Sequence, residues 1–341
     1  MVGPQARRRA PVMADVAKVA GVSHQTVSRV LNDHPSVSAE TRTRVLSAID
    51  QLGYRRNLVA RALVTRHSRT LGVVSFDTTL YGPASTVYGI ERAAREAGYF
   101  ISIVSLRTID RAGVREAIGY LTEQGVDGIV VVAPQRSAAQ ALADVPRGMP
   151  AVAVEGGQAG GVSVVSVDQV EGAVLATRHL LELGHETVWH VGGPADWLEA
   201  EGRVRGWRET LAAAGRAVPE PLAGDWSPRS GYRAGQRLTA MTGEVTAVFV
   251  ANDQMALGVL RAFMEEGVRV PGQISIVGFD DIPESEFFSP PLTTIRQDFG
   301  AVGRRSIDVL VRQIEAGEPY VRESHVVPPR FVLRASTSPA R

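Results

Sequence analysis

From residue 70 onward, short apolar runs alternate with longer segments in which apolar residues recur at helical spacing. The apolar runs, such as 71–76 and 128–132, predict buried strands, and the segments between them, such as 86–97 and 111–124, predict helices. The alternation occurs twice in tandem along the chain. It therefore predicts two doubly wound parallel sheets.

Polar residues follow several of the predicted strands. In doubly wound sheets, ligands bind beyond the carboxyl ends of the strands. We therefore expect a binding site among the residues at these ends, which are Asp77, Glu155, residues 192–203, Asn252, Asp253, Asp280 and Asp281.

The first 53 residues have the pattern of three short helices. Residues 15–20 precede a Gly21-Val22-Ser23 turn, in which Ser23 can cap a second helix that runs to residue 31. A third helix is predicted from Ser38 to residue 52, with apolar residues at helical spacing: Val45, Leu46, Ile49 and Leu52. Two short helices joined by a glycine-containing turn are typical of a helix-turn-helix.

Charge is distributed unevenly along the 341 residues, although 37 Lys and Arg nearly balance 36 Asp and Glu. Residues 1–69 contain 12 basic and 4 acidic side chains, which leaves 25 basic and 32 acidic ones in 70–341. A basic segment joined to an acidic body is expected of a nucleic-acid-binding module. The basic residues 54–69 form a segment too short to be a stable isolated helix, so we expect a linker that folds only when docked.

Several functional classes lack the residues they need. The chain has no cysteine, which excludes thiol nucleophiles, thiolate metal sites and disulfides. It contains no GxxxxGK[ST], HExxH or GxSxG motif, the glycines of 156–161 lack the GxGxxG register, and His185 and His190 have no third metal ligand nearby in sequence. We expect neither an enzyme nor a cofactor or metal. With no apolar run of about 20 residues and no signal peptide, we expect a cytoplasmic protein.

Residues 15–32, DVAKVAGVSHQTVSRVLN, resemble the head-piece of the lac repressor and galactose repressor family of bacterial regulators. The resemblance continues through 37–42, 52–54 and the hinge at 57–65. In the core, GDWS at 224–227, VANDQMALG at 250–258, VGFDD at 277–281 and PPLTTIRQDF at 290–299 are similar to the lac repressor branch of that family.

The resemblance implies an α/β core of two doubly wound parallel-sheet subdomains, like that of periplasmic binding proteins, with an N-terminal all-α helix-turn-helix head-piece. The expected parts are a basic arm at 1–12, the helix-turn-helix domain at 13–56, a hinge helix or linker at 57–69, an effector-binding core at 70–335 and a short tail at 336–341. Within the core, we expect an N-subdomain of about 70–167 and 300–327 and a C-subdomain of about 168–299 and 328–335.

For DNA, the resemblance implies that the second head-piece helix enters the major groove. His24, Gln25 and Arg29 would contact base edges, where Gln suits adenine and Arg suits guanine. Contacts to phosphates, or helix capping, would fall to Ser23, Thr26, Ser28 and Asn32. In the hinge, which begins at Asn57, Leu63 would wedge into the minor groove. Arg56 replaces a common proline and His24 a tyrosine, so we expect a related but different operator.

For the effector, the residues implied by the resemblance are Asp77, Leu80, Gly82, Pro83, Glu155, Arg203, Trp226, Asn252, Asp280, Gln297 and Phe299. Carboxylates, amides and a forked guanidinium suit vicinal hydroxyls, and an indole offers a flat face to C–H bonds. Glu155 replaces an aspartate, Phe76 a small polar residue and Thr86 an apolar one, and these differences affect which sugar fits.

We therefore expect a repressor that binds a pseudo-palindromic operator in double-stranded DNA and is released by a small saccharide, with a galactoside as the leading candidate. Because the C-terminal residues contain no leucine heptads, we expect a homodimer and not a tetramer. One alternative is a corepressor or a non-sugar ligand such as a purine. The others are a receptor for sugar uptake and a carbohydrate-processing enzyme, which the fused head-piece and the missing catalytic motifs disfavour.

Overall fold

The computed structural model describes residues 11–55, 67–76, 79–106, 110–155, 157, 161–241, 243–317 and 321–340. It divides the chain into two compact units, residues 1–68 and 69–341. Asn57, Leu63 and Asp77, together with the arm at 1–10 and most of the hinge, lie outside the described residues. Among the described helices, none is long and apolar enough to cross a membrane.

The first unit contains three helices, α1 (Met13–Ala20), α2 (His24–Leu31) and α3 (Ala39–Leu52). Val16, Val27 and Val45, one from each helix, are fully buried in a shared core. Gly21 and Gly53 end α1 and α3 in the left-handed conformation, which suits glycine. Leu46, expected among the apolar positions of α3, is instead 52% exposed, because the neighbouring Val45 and Ala48 occupy the buried face.

The N-subdomain of the second unit is a six-stranded parallel sheet with the strand order β11-β5-β4-β3-β1-β2. The strands are β1 (Thr70–Phe76), β2 (Phe100–Leu106), β3 (Gly128–Val132), β4 (Ala151–Val154), β5 (Ser163–Val167) and β11 (Ser324–Val327). Helices α4 (Tyr81–Glu96), α5 (Arg111–Glu123) and α11 (Phe299–Ala316) pack against this sheet, and α6 (Arg136–Ala141) packs against α5. Strand β3 is buried on both faces, which explains its continuous apolar sequence.

The C-subdomain contains a four-stranded parallel sheet with the order β7-β6-β8-β9 and an antiparallel pair, β10 and β12. Its strands are β6 (Trp189–Gly192), β7 (Leu222–Ala223), β8 (Ala247–Val250), β9 (Ser275–Val277), β10 (Thr294–Arg296) and β12 (Arg330–Val332). Its α-helices are α7 (Gln169–Glu182), α8 (Leu198–Ala213), α9 (Pro228–Thr239) and α10 (Asp253–Glu265). Short 3₁₀ helices occur at Leu142–Asp144 in the N-subdomain and Pro283–Phe287 in the C-subdomain.

Helices α9 and α10 pack unusually closely because glycines lie at their contact. A Cβ atom at Gly231 would collide with the backbone of Met255, and one at Gly258 would collide with the backbone of Pro228. Gly235 likewise faces Ala262 and Val259. The two helices are therefore joined almost backbone to backbone.

Two features differ from the expectations. Helix α4 begins at Tyr81, five residues before the predicted start at 86, because Pro83 lies in the first turn, where proline is tolerated. Residues 336–340, expected within a short tail, are part of the C-subdomain: Ser336 is fully buried, and its carbonyl accepts a hydrogen bond from the Ile276 N–H at 2.8 Å. That hydrogen bond ties the end of the chain to β9.

Candidate functional site

Helix α2 separates its buried side from a polar, exposed side. Ser23 caps the helix, because its hydroxyl accepts a hydrogen bond from the Thr26 N–H at 3.1 Å. Val27 and Val30 are buried, whereas His24, Gln25 and Arg29 are exposed. The three side chains expected to contact bases therefore all project from the head-piece surface.

The remaining DNA-directed residues also lie on or beside α2. Ser28 and Thr26 are half-buried, and Asn32 is the exposed C-terminal cap. The turn that follows is tied to α3, because the Arg42 guanidinium pairs with Asp33 at 2.5 Å and donates to the His34 carbonyl at 3.3 Å. These contacts fix the end of α2 within its own unit.

A small cavity of about 30 Å³, which we call the effector cleft, lies between the two subdomains of the second unit. Both subdomains contribute to it. The lining residues are Leu80, Tyr81, Gly82 and Pro83 from the start of α4, Trp197, Glu199 and Arg203 around the start of α8, and Trp226, Asn252, Gln254, Asp280 and Gln297.

Arg203 is buried at the centre of the cleft. Its Nε donates to Gln169 Oε1 at 2.9 Å, its Nη1 donates to the Ala251 carbonyl, and its Nη2 lies 3.6 Å from Asp280 Oδ1. The guanidinium also lies over the Phe279 ring, 3.9 Å from its centre. The side chain is therefore held on all sides, and its orientation is set before any ligand binds.

Two glutamines join the C-terminal strand ends into one network. Gln169 Nε2 donates to Gln297 Oε1 at 2.9 Å, and Gln297 Nε2 donates to Asp280 Oδ1 at 2.7 Å. Asp280 has a positive φ of 105°. The adjacent Asp281, expected above among the binding-site residues at the strand ends, instead forms ion pairs with Arg296 and Arg334.

Three carboxyl groups surround Arg203, and burial changes the pKa of each. Burial raises the pKa of Glu155 to about 8, with the negative charge of Glu199 adding to the effect. Burial likewise raises the pKa of Glu199 to about 7 and that of Asp280 to about 6, while the nearby Arg203 opposes both increases. These carboxyl groups therefore exchange protons near neutral pH and can act as hydrogen-bond donors or acceptors.

Glu155 and Asn252 are engaged by the protein itself. Glu155 Oε1 accepts a hydrogen bond from the Val167 N–H at 2.7 Å, and Glu155 is not among the residues that line the cavity. Asn252 caps α10, because its Oδ1 accepts from the Met255 N–H at 2.9 Å, and its Nδ2 donates to the Trp226 carbonyl at 3.1 Å. Asn252 thereby holds Trp226, whose φ is 70°.

Trp226 forms a closely packed side of the cleft. Its indole fills the space beside Gly193, where any Cβ atom would collide with the ring. The Arg203 guanidinium lies 5.3 Å from the centre of the indole. Trp226 Nε1 is buried without a hydrogen-bond partner among the described residues.

Phe299, also expected to contact the effector, is not among the residues that line the effector cleft. It contacts Tyr81 edge-to-face, with 5.9 Å between ring centres, and lines a neighbouring cavity of about 520 Å³ between α4 and the start of α11. It reaches the start of α4 through Gly82, where a Cβ atom would lie 3.8 Å from its ring.

Trp197 and Glu199 line the cleft and Gln169 holds Arg203, although none of the three was among the effector residues implied by the family resemblance. A signal was available for two of them, because Trp197 and Glu199 fall within 192–203, the stretch that follows a predicted strand end. Gln169 gave no such signal, since it lies in a helix and reaches Arg203 only through folding.

Comparisons with known proteins identify both units. Residues 12–57 match the model of bacterial regulatory proteins of the lacI family, and residues 177–337 match that of the periplasmic binding protein-like domain. The chain is 36% identical to the lactose operon repressor of Escherichia coli (strain K12) over 95% of its length and 89% of the relative's. It is 33% identical to the transcriptional repressor PurR of Haemophilus influenzae (strain ATCC 51907 / DSM 11121 / KW20 / Rd), over 94% and 97% respectively.

Solved structures agree with these matches. The lac repressor dimer bound to operator and the anti-inducer ONPF superimposes with a TM-score of 0.87 at 33% identity, covering 97% of this chain and all of that one. A complex of the transcriptional regulator CelR with cellobiose gives a TM-score of 0.71 at 32% identity, covering 96% and 99% respectively. The two-subdomain core and the helix-turn-helix predicted from the sequence are thereby confirmed.

Proposed function

The chain belongs to the lacI family of bacterial regulatory proteins and is a DNA-binding transcriptional repressor, and from this premise we propose that a small saccharide releases it from its operator. The observation that supports this proposal is the buried group of Arg203, Asp280 and Gln297 beside the Trp226 indole. Guanidinium, carboxyl and amide groups recognise vicinal hydroxyls, and the indole packs against the apolar face of a sugar ring.

A galactoside is the leading candidate among saccharides. The GDWS, VANDQMALG and QDF segments resemble the lac repressor, and they place Trp226, Asn252, Asp280 and Gln297 around one cleft. Glu155, Phe76 and Thr86 depart from that pattern. We expect these differences to change which substituents on the sugar are tolerated.

The mechanism we propose is a population shift. A ligand changes the balance between two conformations only by its difference in affinity for them. The cleft of about 30 Å³ is far below the roughly 300 Å³ or more of typical ligand pockets, so a saccharide favours a different arrangement of the two subdomains. We propose that this rearrangement separates paired hinges and withdraws Leu63 from the minor groove.

On the DNA side, we propose that α2 enters the major groove of a pseudo-palindromic operator and that the protein acts as a homodimer. The exposed His24, Gln25 and Arg29 support the first part. The similarity to the lac repressor, whose solved structure is a dimer bound to operator, supports the second.

The second candidate is a corepressor of another chemical class, such as a purine. The PurR relative matches nearly its whole length at 33% identity, so a ligand other than a sugar is compatible with the fold. Gln297 and Trp226 favour a sugar, because an amide can both donate to and accept from hydroxyl groups and an indole packs against the C–H face of a sugar ring.

One experiment separates the two candidates. A thermal-shift panel would contain galactosides, glucosides, disaccharides, purines and amino acids, because a ligand of the native state raises the melting temperature by mass action. Each ligand that binds is then added to the repressor–operator complex. We expect a saccharide to stabilise the protein and release the DNA. A purine that binds and strengthens operator affinity, with every saccharide inactive, contradicts the proposal.

A further inference from the structure

Trp197 lies where the two subdomains meet, and its side chain forms one side of the effector cleft. Its indole is buried between two other aromatic rings. The indole centre lies 5.3 Å from the ring of Phe76, at the end of β1 in the N-subdomain, and 5.4 Å from that of Trp226 in the C-subdomain. Tilted and edge-to-face contacts of this kind are favourable between aromatic rings. Trp197 therefore packs against both subdomains at once.

The backbone around Trp197 is also paired with the N-subdomain. Trp197 and Gln135 form an isolated antiparallel bridge. The Leu198 N–H donates to the Pro134 carbonyl at 2.8 Å, and the Arg136 N–H donates to the Asp196 carbonyl at 3.3 Å. This pairing sets the place of the indole in the cleft.

Trp226, unlike Trp197, makes its stabilising contacts within one subdomain. Its indole packs on Gly193 and Arg203, and its carbonyl accepts from Asn252, all within the C-subdomain. A change in the arrangement of the subdomains leaves these contacts intact. The position of Trp197, in contrast, is set by contacts with both subdomains, through Phe76 and through the backbone pairing to 134–136. Trp226 is thus a fixed side of the cleft, whereas the position of Trp197 depends on both subdomains.

The Trp197 indole occupies space that a ligand in the effector cleft could otherwise use. A cavity of about 30 Å³ is much smaller than the roughly 300 Å³ or more of typical ligand pockets. The polar groups suited to a sugar ring lie around Arg203 and Asp280, beside Trp226. The space on the other side of Trp226, toward Phe76, is filled by the indole of Trp197.

We propose that Trp197 is a specificity-determining residue, which limits the ligand to one sugar ring by occupying the space that a second ring would need. The inference rests on the saccharide function proposed above. It assigns to this indole a role in the choice between monosaccharide and disaccharide ligands. Replacing it by a small residue opens that space while leaving Arg203, Asp280 and Trp226 in place.

The test compares two ligands on matched variants of the full-length protein. Calorimetry gives the dissociation constants of methyl β-D-galactoside and of lactose for the wild type, Trp197→Ala and Trp197→Phe. We expect the ratio of the lactose constant to the galactoside constant to fall about tenfold or more in Trp197→Ala, and to change little in Trp197→Phe, which keeps a ring beside Phe76. An unchanged or increased ratio in Trp197→Ala overturns the proposal.

Controls separate this outcome from misfolding and from failure of the saccharide function. Trp189→Phe changes a tryptophan of β6 outside the cleft lining and should leave the ratio unchanged. If Trp197→Ala does not fold, Trp197→Leu takes its place, with the same fall in the ratio expected. If the wild type binds saccharides and the ratio does not respond, only the role of Trp197 is wrong. If no saccharide binds any variant while a purine does, the proposed function itself is wrong.

Discussion

The head-piece and the effector cleft present their polar side chains in opposite ways. On α2, the candidate contacts come from ten consecutive residues, 23–32, and the three expected to contact bases are exposed. In the cleft, the polar residues come from positions 169 to 297 and are largely buried. An exposed side chain can change without affecting the fold, whereas each buried one also supports its neighbours. The difference shows that specificity is separable from stability in the head-piece but linked to it in the cleft.

The largest effect is expected from Arg203→Ala. This change leaves Asp280 and Gln169 buried without their guanidinium partner, and removing one member of a buried pair costs roughly 3 to 5 kcal/mol. Urea denaturation should show the loss of stability. Operator binding at temperatures where the variant is folded should persist and should no longer respond to the effector. A variant with wild-type stability and a normal response contradicts the linkage.

Arg29→Ala tests the opposite side of the comparison. We expect a loss of roughly 1 to 3 kcal/mol in binding to the cognate operator, with relaxed discrimination at the base that Arg29 contacts. The free energy of unfolding should change by no more than about 0.5 kcal/mol, because the side chain is exposed. Binding to variant operators, measured at fixed salt, gives the result. Unaltered sequence preference shows that Arg29 is not a base contact.

Glu155→Gln measures how protonation links the cleft to stability. In the folded protein, burial raises the pKa of Glu155 to about 8, whereas the ordinary value for an unfolded chain is near 4.3. Between about pH 4.3 and 8, Glu155 is therefore protonated in the folded protein and ionised in the unfolded chain. This contribution to stability therefore falls as pH rises through that window, by roughly 1 kcal/mol between pH 6 and 7. Denaturation at both pH values should show a smaller decline in the glutamine variant. Parallel curves for the two proteins contradict a protonated Glu155.

The smallest effect is expected from Ser23→Ala, which makes the comparison sharper. Ser23 is exposed like Arg29, yet its hydroxyl caps α2, so we expect a loss of about 1 kcal/mol in head-piece stability. Ser28→Ala, a half-buried serine within the same helix, is the matched control. Thermal unfolding monitored on the helical signal distinguishes them. Equal stabilities of the two variants show that the cap contributes nothing measurable.

Most of the fold could be predicted because burial on both faces makes strands such as Gly128–Val132 apolar throughout. Helix α9 was not predicted, and the reason is its close packing on α10. Its buried positions are occupied by small residues such as Gly231, Ala234 and Gly235, so the helix shows few large apolar residues at helical spacing. Helix α11 and the short strands β7 and β10 were likewise not predicted.

The site was predictable where its residues belong to a continuous motif. Trp226, Asp280 and Gln297, each from a continuous motif, line one cleft together with Arg203, and their part in effector binding stays a prediction. Gln169 and Trp197 acquire their partners only in the folded chain, through contacts with residues far away in the sequence. The hydrogen bond from Asn252 to the Trp226 carbonyl could not be predicted from the sequence either, because an asparagine that caps a helix and one that binds a ligand are the same residue type.

The glycine contact between α9 and α10 has a consequence for how new ligand preferences can arise. Trp226 lies just before α9 and Asn252 caps α10, so the backbone contact of the two helices fixes the distance between these residues. A larger side chain at Gly231 or Gly258 would force the helices apart, so this side of the cleft tolerates little variation. Substitutions that adapt the protein to another sugar are therefore expected to accumulate on the opposite side, around residues 194–199, where side chains such as Trp197 and Glu199 can change without separating two closely packed helices.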